Sequence, residues 1–400
     1  MNDATCGSVS KHFPQAAGSE AQRFHRQIPG YRVTPLKGLT RLAGMLGLGG
    51  IWVKDEAQRL DLGSFKVLGG SFAIYRHLRA RLGASESFGY SDLMSREVKS
   101  KLGKLTFAAA TDGNHGRGVA WAASQLGFPS IIYVHRLTSR SRIEAIECNG
   151  AKVVVVDGTY DDAVRQVNQD AAANGWQVIS DTAWPGYEEI PAWVMQGYST
   201  IFFETQQQFM ALGLLKPTHV FMQAGVGSLA ASAAAFYVNL MGRERPRIVV
   251  VEPDQAACLY GSMEAADGRV HTYPGGLNTI MAGLACGEPN PIAWEVLKNT
   301  ADVFIKSPDY VAAKGMRVFG VPLAGDSTVI SGESGAVTLG ALMFVMEREE
   351  LTPLRQRLGL DRDSQVLLVN TEINTDPDHF RKVVWEGGEP VPDEYRRPRE

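Results

Sequence analysis

The chain has 400 residues, of which 44% are hydrophobic and 21% are charged, the balance of an ordinary globular protein. Its 40 basic and 43 acidic residues leave a formal net charge of -3, which gives no reason to expect nucleic acid or an anionic membrane as a partner. A single core rarely grows beyond about 250–300 residues, so this length predicts two lobes.

Short β-rich runs alternate with helical stretches, a pattern typical of an α/β fold with largely parallel sheets. The predicted strands are Ile51–Val53, Thr106–Ala109, Ser130–Val134, Lys152–Val156, Val178–Ser180, His219–Met222, Arg247–Val251, Val303–Ile305 and Gln365–Val369. The predicted helices are Gly69–Leu82, Gly116–Leu126, Ser139–Cys148, Tyr160–Ala173, Trp193–Leu212, Leu229–Met241 and Gly335–Glu347. We expect the strands of residues 106–180 to form one sheet and those after residue 219 to belong to a second.

The first residues lack the basic and apolar regions of a secretory signal. The longest apolar stretch, around Leu229–Met241, is shorter than the ~20 residues that cross a bilayer, so we interpret it as a buried helix. The 4 scattered cysteines contain no CxxC pair and indicate the reduced cytoplasm. A bridge between Cys258 and Cys286 is conceivable, but two unpaired thiols are the simpler expectation.

The first candidate for chemistry is Lys66, which stands just ahead of a predicted helix and beside Phe65 and Val67. Burial in apolar company disfavours the ammonium form and frees the amine for imine chemistry. The alternative is a lysine whose stem packs while its head reaches water, and this short motif does not decide between them. The nearby run Lys54-Asp55-Glu56 is expected to be a surface or inter-strand charge group that supports the Lys66 segment.

The second candidate is the loop Thr111-Asp112-Gly113-Asn114-His115-Gly116, which follows a predicted strand and opens a helix. Such a turn directs backbone N–H groups and a helix dipole at one point, which suits a carboxylate or a phosphate. Asn114 adds a neutral donor and acceptor. The alternative is a plain glycine-rich turn in which Asp112 is the helix N-cap.

The third candidate is the loop Gly225-Val226-Gly227-Ser228-Leu229-Ala230, between a strand and an alanine-rich helix. Its glycines let the backbone approach an anion, and the helix N-terminus stabilises it, so we predict a phosphate site. The same residues fit G-x-G-x-x-A, and Glu252 ends the next strand, which is the layout of a dinucleotide fingerprint. A nicotinamide-dependent dehydrogenase is therefore an alternative, but it leaves Lys66 and the Asn114 loop unexplained.

Together, Ser64-Phe65-Lys66, Gly113-Asn114-His115-Gly116 and Gly225-Val226-Gly227-Ser228 resemble fold type II pyridoxal-phosphate enzymes in order and spacing. Within that class the chain is more closely similar to the diaminopropionate ammonia-lyase family, and the resemblance extends over nearly its whole length. The segments that carry it are residues 52–56, 110–118, 181–184, 186–191, 279–284, 331–336, 371–372 and 375–377.

The resemblance implies a tryptophan-synthase-β-like fold of two lobes, each a mostly parallel twisted sheet flanked by helices. Residues 1–90 and 206–400 would form the large cofactor-binding domain, with residues 91–205 inserted as a small domain. The family is homodimeric, and its reaction converts 2,3-diaminopropionate to pyruvate and two ammonia molecules.

The resemblance also implies residue roles. Lys66 would form the Schiff base with pyridoxal 5′-phosphate, Asn114 would bond the phenolic oxygen of the ring, and Thr371 would place a neutral hydroxyl at the pyridine nitrogen. The cofactor phosphate would be held by Gly225, Val226, Gly227, Ser228 and Leu229. The substrate carboxylate would be bound by the backbone of Thr111, Asp112, Gly113 and His115.

The same-fold alternatives are a serine or threonine dehydratase, or another β-eliminating or β-replacing enzyme, in which a hydroxyl or thiol takes the place of the second amine. Two acids distinguish the ammonia-lyase from them. We hypothesise that Asp112 and Asp181 face the substrate amines, and that Asp112 takes the Cα proton from the face opposite Lys66. Two bases on two faces would explain the family's acceptance of both D and L substrates. The eight histidines show no metal-ligand spacing, so we expect no metal.

Overall fold

The computed structural model describes residues 3–111 and 113–395, apart from the side chains of residues 3–6, 8 and 161. The strands are β1 (Leu36–Gly38), β2 (Gly50–Asp55), β3 (Phe107–Thr111), β4 (Ser130–His135), β5 (Lys152–Val156), β6 (Gln177–Val178), β7 (His219–Gln223), β8 (Arg247–Pro253), β9 (Val303–Ser307) and β10 (Gln365–Asn370).

The helices of the first half are α1 (Asp3–His12), α2 (Gln15–His25), α3 (Thr40–Leu46), α4 (Lys66–Leu82), α5 (Tyr90–Leu93), α6 (Arg96–Leu102), α7 (Asn114–Gln125), α8 (Arg140–Glu147), α9 (Tyr160–Asn174) and α10 (Glu189–Ala211). Those of the second half are α11 (Ser228–Met241), α12 (Cys258–Glu264), α13 (Pro291–Thr300), α14 (Asp309–Gly320), α15 (Glu333–Glu347), α16 (Thr352–Leu358) and α17 (Pro377–Val384).

The larger sheet has six strands in the order β1-β2-β10-β7-β8-β9, with β1 antiparallel to β2 and the other pairs parallel. Its central strands are apolar and buried on both faces, as parallel strands covered by helices should be. Along β7, Val220 and Met222 join the core that contains α4, α10 and α11, whereas Phe221 joins the core that contains α14 and α15. The alternation of side chains along each strand therefore separates two helical layers.

The smaller sheet has four parallel strands in the order β5-β4-β3-β6. Ala108 and Ala110 of β3 pack with Ala163 and Val167 of α9, and Ala109 joins the main core on the other face. The predicted division of the strands into two sheets is thus confirmed, while the domain limits at residues 91 and 205 stay a prediction. None of the helices in the described part of the chain has the length and apolar character that a membrane span requires.

One predicted strand was placed too late. Residues 178–180 were predicted, but β6 ends at Val178. The reason is that the next backbone groups have other partners: the Ile179 carbonyl accepts a hydrogen bond from His115, and the Ser180 N–H donates to the Tyr187 hydroxyl.

The charges around β2 are buried, so of the two alternatives predicted for Lys54-Asp55-Glu56, a surface group or an inter-strand group, the surface one was wrong. Lys54, Glu56, Arg59 and Glu204 have side chains that are 0% exposed, and we call these four the buried charge cluster. The Lys54 amine lies 2.6 Å from Glu204 of α10. Arg59 lies 2.8 Å from both Glu56 and Glu204, so the cluster joins β2 and the turn after it to α10.

Candidate active site

A cleft of about 740 Å³ opens at the carboxyl ends of strands from both sheets, where open α/β folds bind ligands. Most of the predicted site residues line it: Lys66, Thr111, Asn114, His115, Asp181, Gly225, Val226, Gly227, Ser228, Leu229 and Thr371. Gly113 lies in the same loop as Thr111 and Asn114 but does not border the cleft. Asp112 lies outside the described residues.

Lys66 is the first residue of α4, three residues earlier than the predicted helix start. The segment before it pairs with the chain that follows β10. The Phe65 N–H donates to the Thr371 carbonyl, and the Ile373 N–H donates to the Gly63 carbonyl at 2.8 Å. These bonds hold Lys66 and Thr371 in one cleft although they are 305 positions apart in the sequence.

The Lys66 amine donates to Asp181 at 2.6 Å, and both side chains are largely buried. Burial alone would raise the pKa of the Asp181 carboxyl, but the opposing charge of Lys66 and the neighbouring His115 hold that pKa below its ordinary value. The Tyr160 hydroxyl donates to the second Asp181 oxygen at 3.3 Å. The cleft therefore contains an amine and an ionised carboxylate within proton-transfer distance of each other.

The loop before α7 is fixed by its own threonine. The Thr111 hydroxyl accepts hydrogen bonds from the N–H groups of Gly113 at 2.8 Å and Gly116 at 3.0 Å. Gly113 occupies the cap position with φ of 147°, a left-handed conformation that favours glycine. The Asn114 amide donates to Glu372 at 2.7 Å, which leaves its second N–H for another acceptor.

The glycine loop before α11 presents backbone donors to the cleft. Within the described chain, the N–H groups of Gly225, Val226, Gly227 and Ser228 donate to no protein acceptor. Gly227 has φ of 95°, and a Cβ there would lie 3.1 Å from Leu259. Unpartnered N–H groups at the start of a 14-residue helix fit a phosphate group, because each donor gains an anionic acceptor.

Asn290 joins this loop to Asp181, and sequence reasoning missed it. The Asn290 amide donates to the Asp181 backbone carbonyl and to the Ser228 hydroxyl, both at 3.0 Å. The Asn290 N–H donates to the Val226 carbonyl at 2.8 Å. Asn290 was recognisable only as a helix cap, since it precedes Pro291 and its side chain accepts from Ile292.

Thr371 follows β10 and is 4% exposed, at the floor of the cleft. Its hydroxyl accepts a hydrogen bond from the Gln223 amide at 2.9 Å. Gln223 ends β7 and is another residue that sequence reasoning missed. Its signal was a single amide at the end of the apolar run His219–Met222, directly before the glycine loop. A neutral hydroxyl in this position fits the ring nitrogen of pyridoxal phosphate.

Glu252 is not placed to be the ribose-binding acid that the dehydrogenase alternative requires. Its carboxylate accepts hydrogen bonds from the N–H groups of Leu259 at 2.8 Å and Tyr260 at 2.7 Å, at the start of α12. The side chain is 0% exposed, and burial raises the pKa of Glu252 to about 8. A ribose-binding acid must reach its ligand, so the alternative loses the residue on which it depended.

Cys258 and Cys286 are both thiols and form no disulfide with each other, which confirms the simpler expectation that no bridge joins them. The Cys258 thiol lies 3.7 Å from the Gly225 carbonyl, and burial raises the pKa of that thiol. A Cβ at Gly225 would approach the Cys286 sulfur to 3.0 Å. The two cysteines therefore pack against the glycine loop.

Glu333 begins α15, and its carboxylate pairs with His379 of α17. The hydrogen bond to Glu333 raises the pKa of His379 above its ordinary value of 6.5. Because the folded pKa is the higher one, the pair stabilises the fold fully below about pH 6.5, and the contribution is lost as pH rises through the folded pKa.

We expect His379→Gln to lower the free energy of unfolding by on the order of 1 kcal/mol at pH 6 and by less at pH 9. Thermal melts of both proteins from pH 6 to 9 measure the difference. His271→Gln is the matched control, since His271 pairs with Asp267 at the surface. If the difference in free energy of unfolding between wild type and His379→Gln did not change with pH, the stabilisation could not be assigned to the charged form of His379.

Comparison with known proteins agrees with this geometry. A sequence profile of the family described as pyridoxal-phosphate-dependent enzymes matches residues 28–372. The diaminopropionate ammonia-lyase of Salmonella typhimurium is 46% identical over 372 residues, which cover 92% of this chain and 92% of that protein. The chain belongs to the diaminopropionate ammonia-lyase family.

Solved structures of a diaminopropionate ammonia-lyase, that of Escherichia coli, have the same fold. The crystal structure in complex with D-serine matches with a TM-score of 0.89 and 44% identity over 95% of each chain. The crystal structure in complex with an aminoacrylate-PLP azomethine reaction intermediate matches with a TM-score of 0.87 and 44% identity over 94% of each chain. The predicted fold type II, the pyridoxal phosphate cofactor and the carbon–nitrogen lyase class are confirmed.

Proposed function

We propose that the protein catalyses the α,β-elimination of D- and L-2,3-diaminopropionate to pyruvate and two ammonia molecules. The observation that carries this proposal is the pair formed by the Lys66 amine and the Asp181 carboxylate, 2.6 Å apart, in a cleft lined by two anion-binding loops. An elimination that releases an amine needs both a base for Cα and an anionic partner that keeps the β-amino group protonated as its bond to carbon breaks, and this pair supplies them.

The residues assigned to the cofactor each match one of its groups. We assign Lys66 to covalent attachment, Thr371 to the ring nitrogen and Asn114 to the phenolic oxygen. The phosphate is assigned to the loop of Gly225, Val226, Gly227, Ser228 and Leu229. When bound, pyridoxal phosphate supplies an electron sink for the electron pair left after the Cα proton is removed.

The remaining residues bind substrate and move protons. We assign the substrate carboxylate to the backbone of the loop formed by Thr111, Asp112, Gly113 and His115. Lys66, once released from the cofactor, removes the Cα proton of the L isomer with its amine. Asp181 binds the β-amino group and keeps it protonated, so that it leaves as neutral ammonia. Asp112 removes the Cα proton of the D isomer from the opposite face.

The test is pyruvate release by the purified protein loaded with pyridoxal phosphate. D- and L-diaminopropionate are each assayed against D-serine, L-serine and L-threonine at matched concentrations. We expect the highest kcat/KM with diaminopropionate, together with two ammonia molecules per pyruvate. Faster turnover of serine or threonine would support the dehydratase alternative instead.

Asp112→Asn should impair the D isomer far more than the L isomer, by on the order of 10²-fold in kcat/KM against a small change. The amide is nearly isosteric but cannot accept the Cα proton. Steady-state kinetics on the separated isomers measure the ratio, and the L isomer is the internal control for folding and cofactor content. Equal losses on both isomers would rule out the two-base proposal.

We also propose a homodimer in the cytoplasm, which the family resemblance supports. The substrate partner is an amino acid, in line with the D-serine bound by the Escherichia coli relative.

A further inference from the structure

The Gln223 side chain lies between the two central strands of the larger sheet, at the floor of the cleft. It is 3% exposed, and a buried amide is costly unless its donors are satisfied. Its Nε2 donates to the Val369 carbonyl at 2.9 Å and to the Thr371 hydroxyl at 2.9 Å. Both hydrogens of the amide are therefore used on β10 and on the residue after it.

These two bonds show which group donates in the hydrogen bond between Gln223 and Thr371. The Val369 carbonyl can only accept, so the amide nitrogen must face β10, and the amide cannot be turned over. The second N–H then donates to the Thr371 oxygen. The hydroxyl hydrogen of Thr371 is consequently available to an acceptor in the cleft.

We propose that Gln223 is a positioning residue that holds the Thr371 hydroxyl as a hydrogen-bond donor and thereby keeps the ring nitrogen of the cofactor unprotonated. The inference rests on the proposed function, because it takes Thr371 as the partner of that nitrogen. A ring with an unprotonated nitrogen withdraws electrons less strongly. This favours prompt loss of the β-amino group over reactions that need a long-lived carbanion.

Gln223→Glu tests the direction of the bond. A carboxylate cannot donate to Thr371 but accepts its hydrogen, so the oxygen lone pair of Thr371 would face the ring nitrogen and stabilise its protonated form. The probe is 4-deoxypyridoxine 5′-phosphate with a ¹⁵N-labelled ring, which lacks the aldehyde and cannot bond to Lys66. NMR of the bound probe from pH 6 to 9 reports when its nitrogen is protonated.

We expect the bound nitrogen of the Gln223→Glu protein to protonate at a pH at least about one unit higher than in wild type, a tenfold change in proton affinity. In the Thr371→Val background, adding Gln223→Glu should no longer change the pH at which the bound nitrogen protonates, because no hydroxyl transmits the effect. A shift of the same size in the double variant would mean that the new charge acts directly, and it would overturn the proposal.

Gln223→Met removes the donor without adding a charge. It tests whether Gln223 positions the Thr371 hydroxyl if the glutamate variant does not fold. We expect the bound nitrogen in this variant to protonate at a higher pH than in wild type, because nothing then holds the Thr371 hydroxyl as a donor towards it. Gln206→Glu is the matched control. Gln206 is also a buried glutamine that donates to a backbone carbonyl, that of Leu215, but it does not line the cleft. We expect it to leave the probe unchanged.

The outcomes separate this inference from the function on which it rests. If wild type does not bind the probe at all, the proposed function fails and this inference fails with it. If wild type binds the probe and both Gln223 variants match wild type in affinity and in the protonation of the nitrogen, this inference alone is overturned.

Discussion

Replacing Lys66 with alanine should lower pyruvate formation from both isomers of diaminopropionate by on the order of 10³-fold or more. The Lys66 amine is the nucleophile that we assign to the cofactor carbonyl and the base on one face of the substrate. It begins α4 and lies 2.6 Å from Asp181, at the centre of the cleft. Alanine removes both roles and leaves the glycine loop unchanged, so the variant should still bind cofactor through its phosphate.

Borohydride reduction of the cofactor-loaded protein measures the covalent role directly. In wild type the reduced cofactor should remain on the peptide that contains Lys66, whereas the alanine variant should release it on denaturation. Lys101→Ala is the control, because the Lys101 side chain is 62% exposed and pairs with Glu97 at the surface. Activity of the Lys66 variant within about tenfold of wild type would contradict the assignment.

Asp181→Asn should reduce kcat/KM for diaminopropionate by on the order of 10²-fold. The Asp181 carboxylate is buried and ionised beside the Lys66 amine, and its second oxygen accepts from Tyr160. When the substrate replaces the lysine as the cofactor's partner, the carboxylate is available to the substrate ammonium. The amide preserves the shape of the side chain but carries no charge to pair with that group.

Serine provides the matched comparison, since its hydroxyl stands where diaminopropionate has a second amine. Competitive inhibition by D-serine should change little in the Asp181→Asn protein, while turnover of diaminopropionate falls. If the variant weakens D-serine binding as much as it reduces diaminopropionate turnover, Asp181 would be a general structural residue rather than the partner of the β-ammonium.

Much of the site was predictable because its parts are local. Lys66, the Asn114 loop and the glycine loop are each a few residues long, and each depends on glycines, a helix start or apolar neighbours that stand next to it in the chain. Resemblance to a family then indicated Thr371, and the hypothesis about the substrate amine added Asp181; both line the cleft.

The contacts that orient these parts could not be predicted in this way. Lys66 and Asp181 are 115 positions apart, and the amide of Gln223 reaches Thr371 across 148 positions. Such pairs depend on the order of strands in the sheet, where β10 is inserted between β2 and β7. Hydrophobic periodicity carries no information about that order.

Local patterns also misplaced charged residues. The run Lys54-Asp55-Glu56 contains three charged residues, and charged residues usually lie on the solvent-exposed surface. Its ends are buried because Glu204 of α10 neutralises Lys54, and Arg59, three positions further along the chain, neutralises Glu56. The sequence distance between Lys54 and Glu204 concealed the pairing that makes burial possible.

The buried charge cluster also constrains how this family can diverge. Each of its four side chains is 0% exposed, so exchanging one for an apolar residue leaves an uncompensated charge inside the protein, at a cost of about 3–5 kcal/mol. Replacing the whole set by well-packed apolar side chains would cost far less. Single substitutions are therefore blocked although the combined change is permissible. We expect descendants of this chain to keep all four charges or to exchange them together.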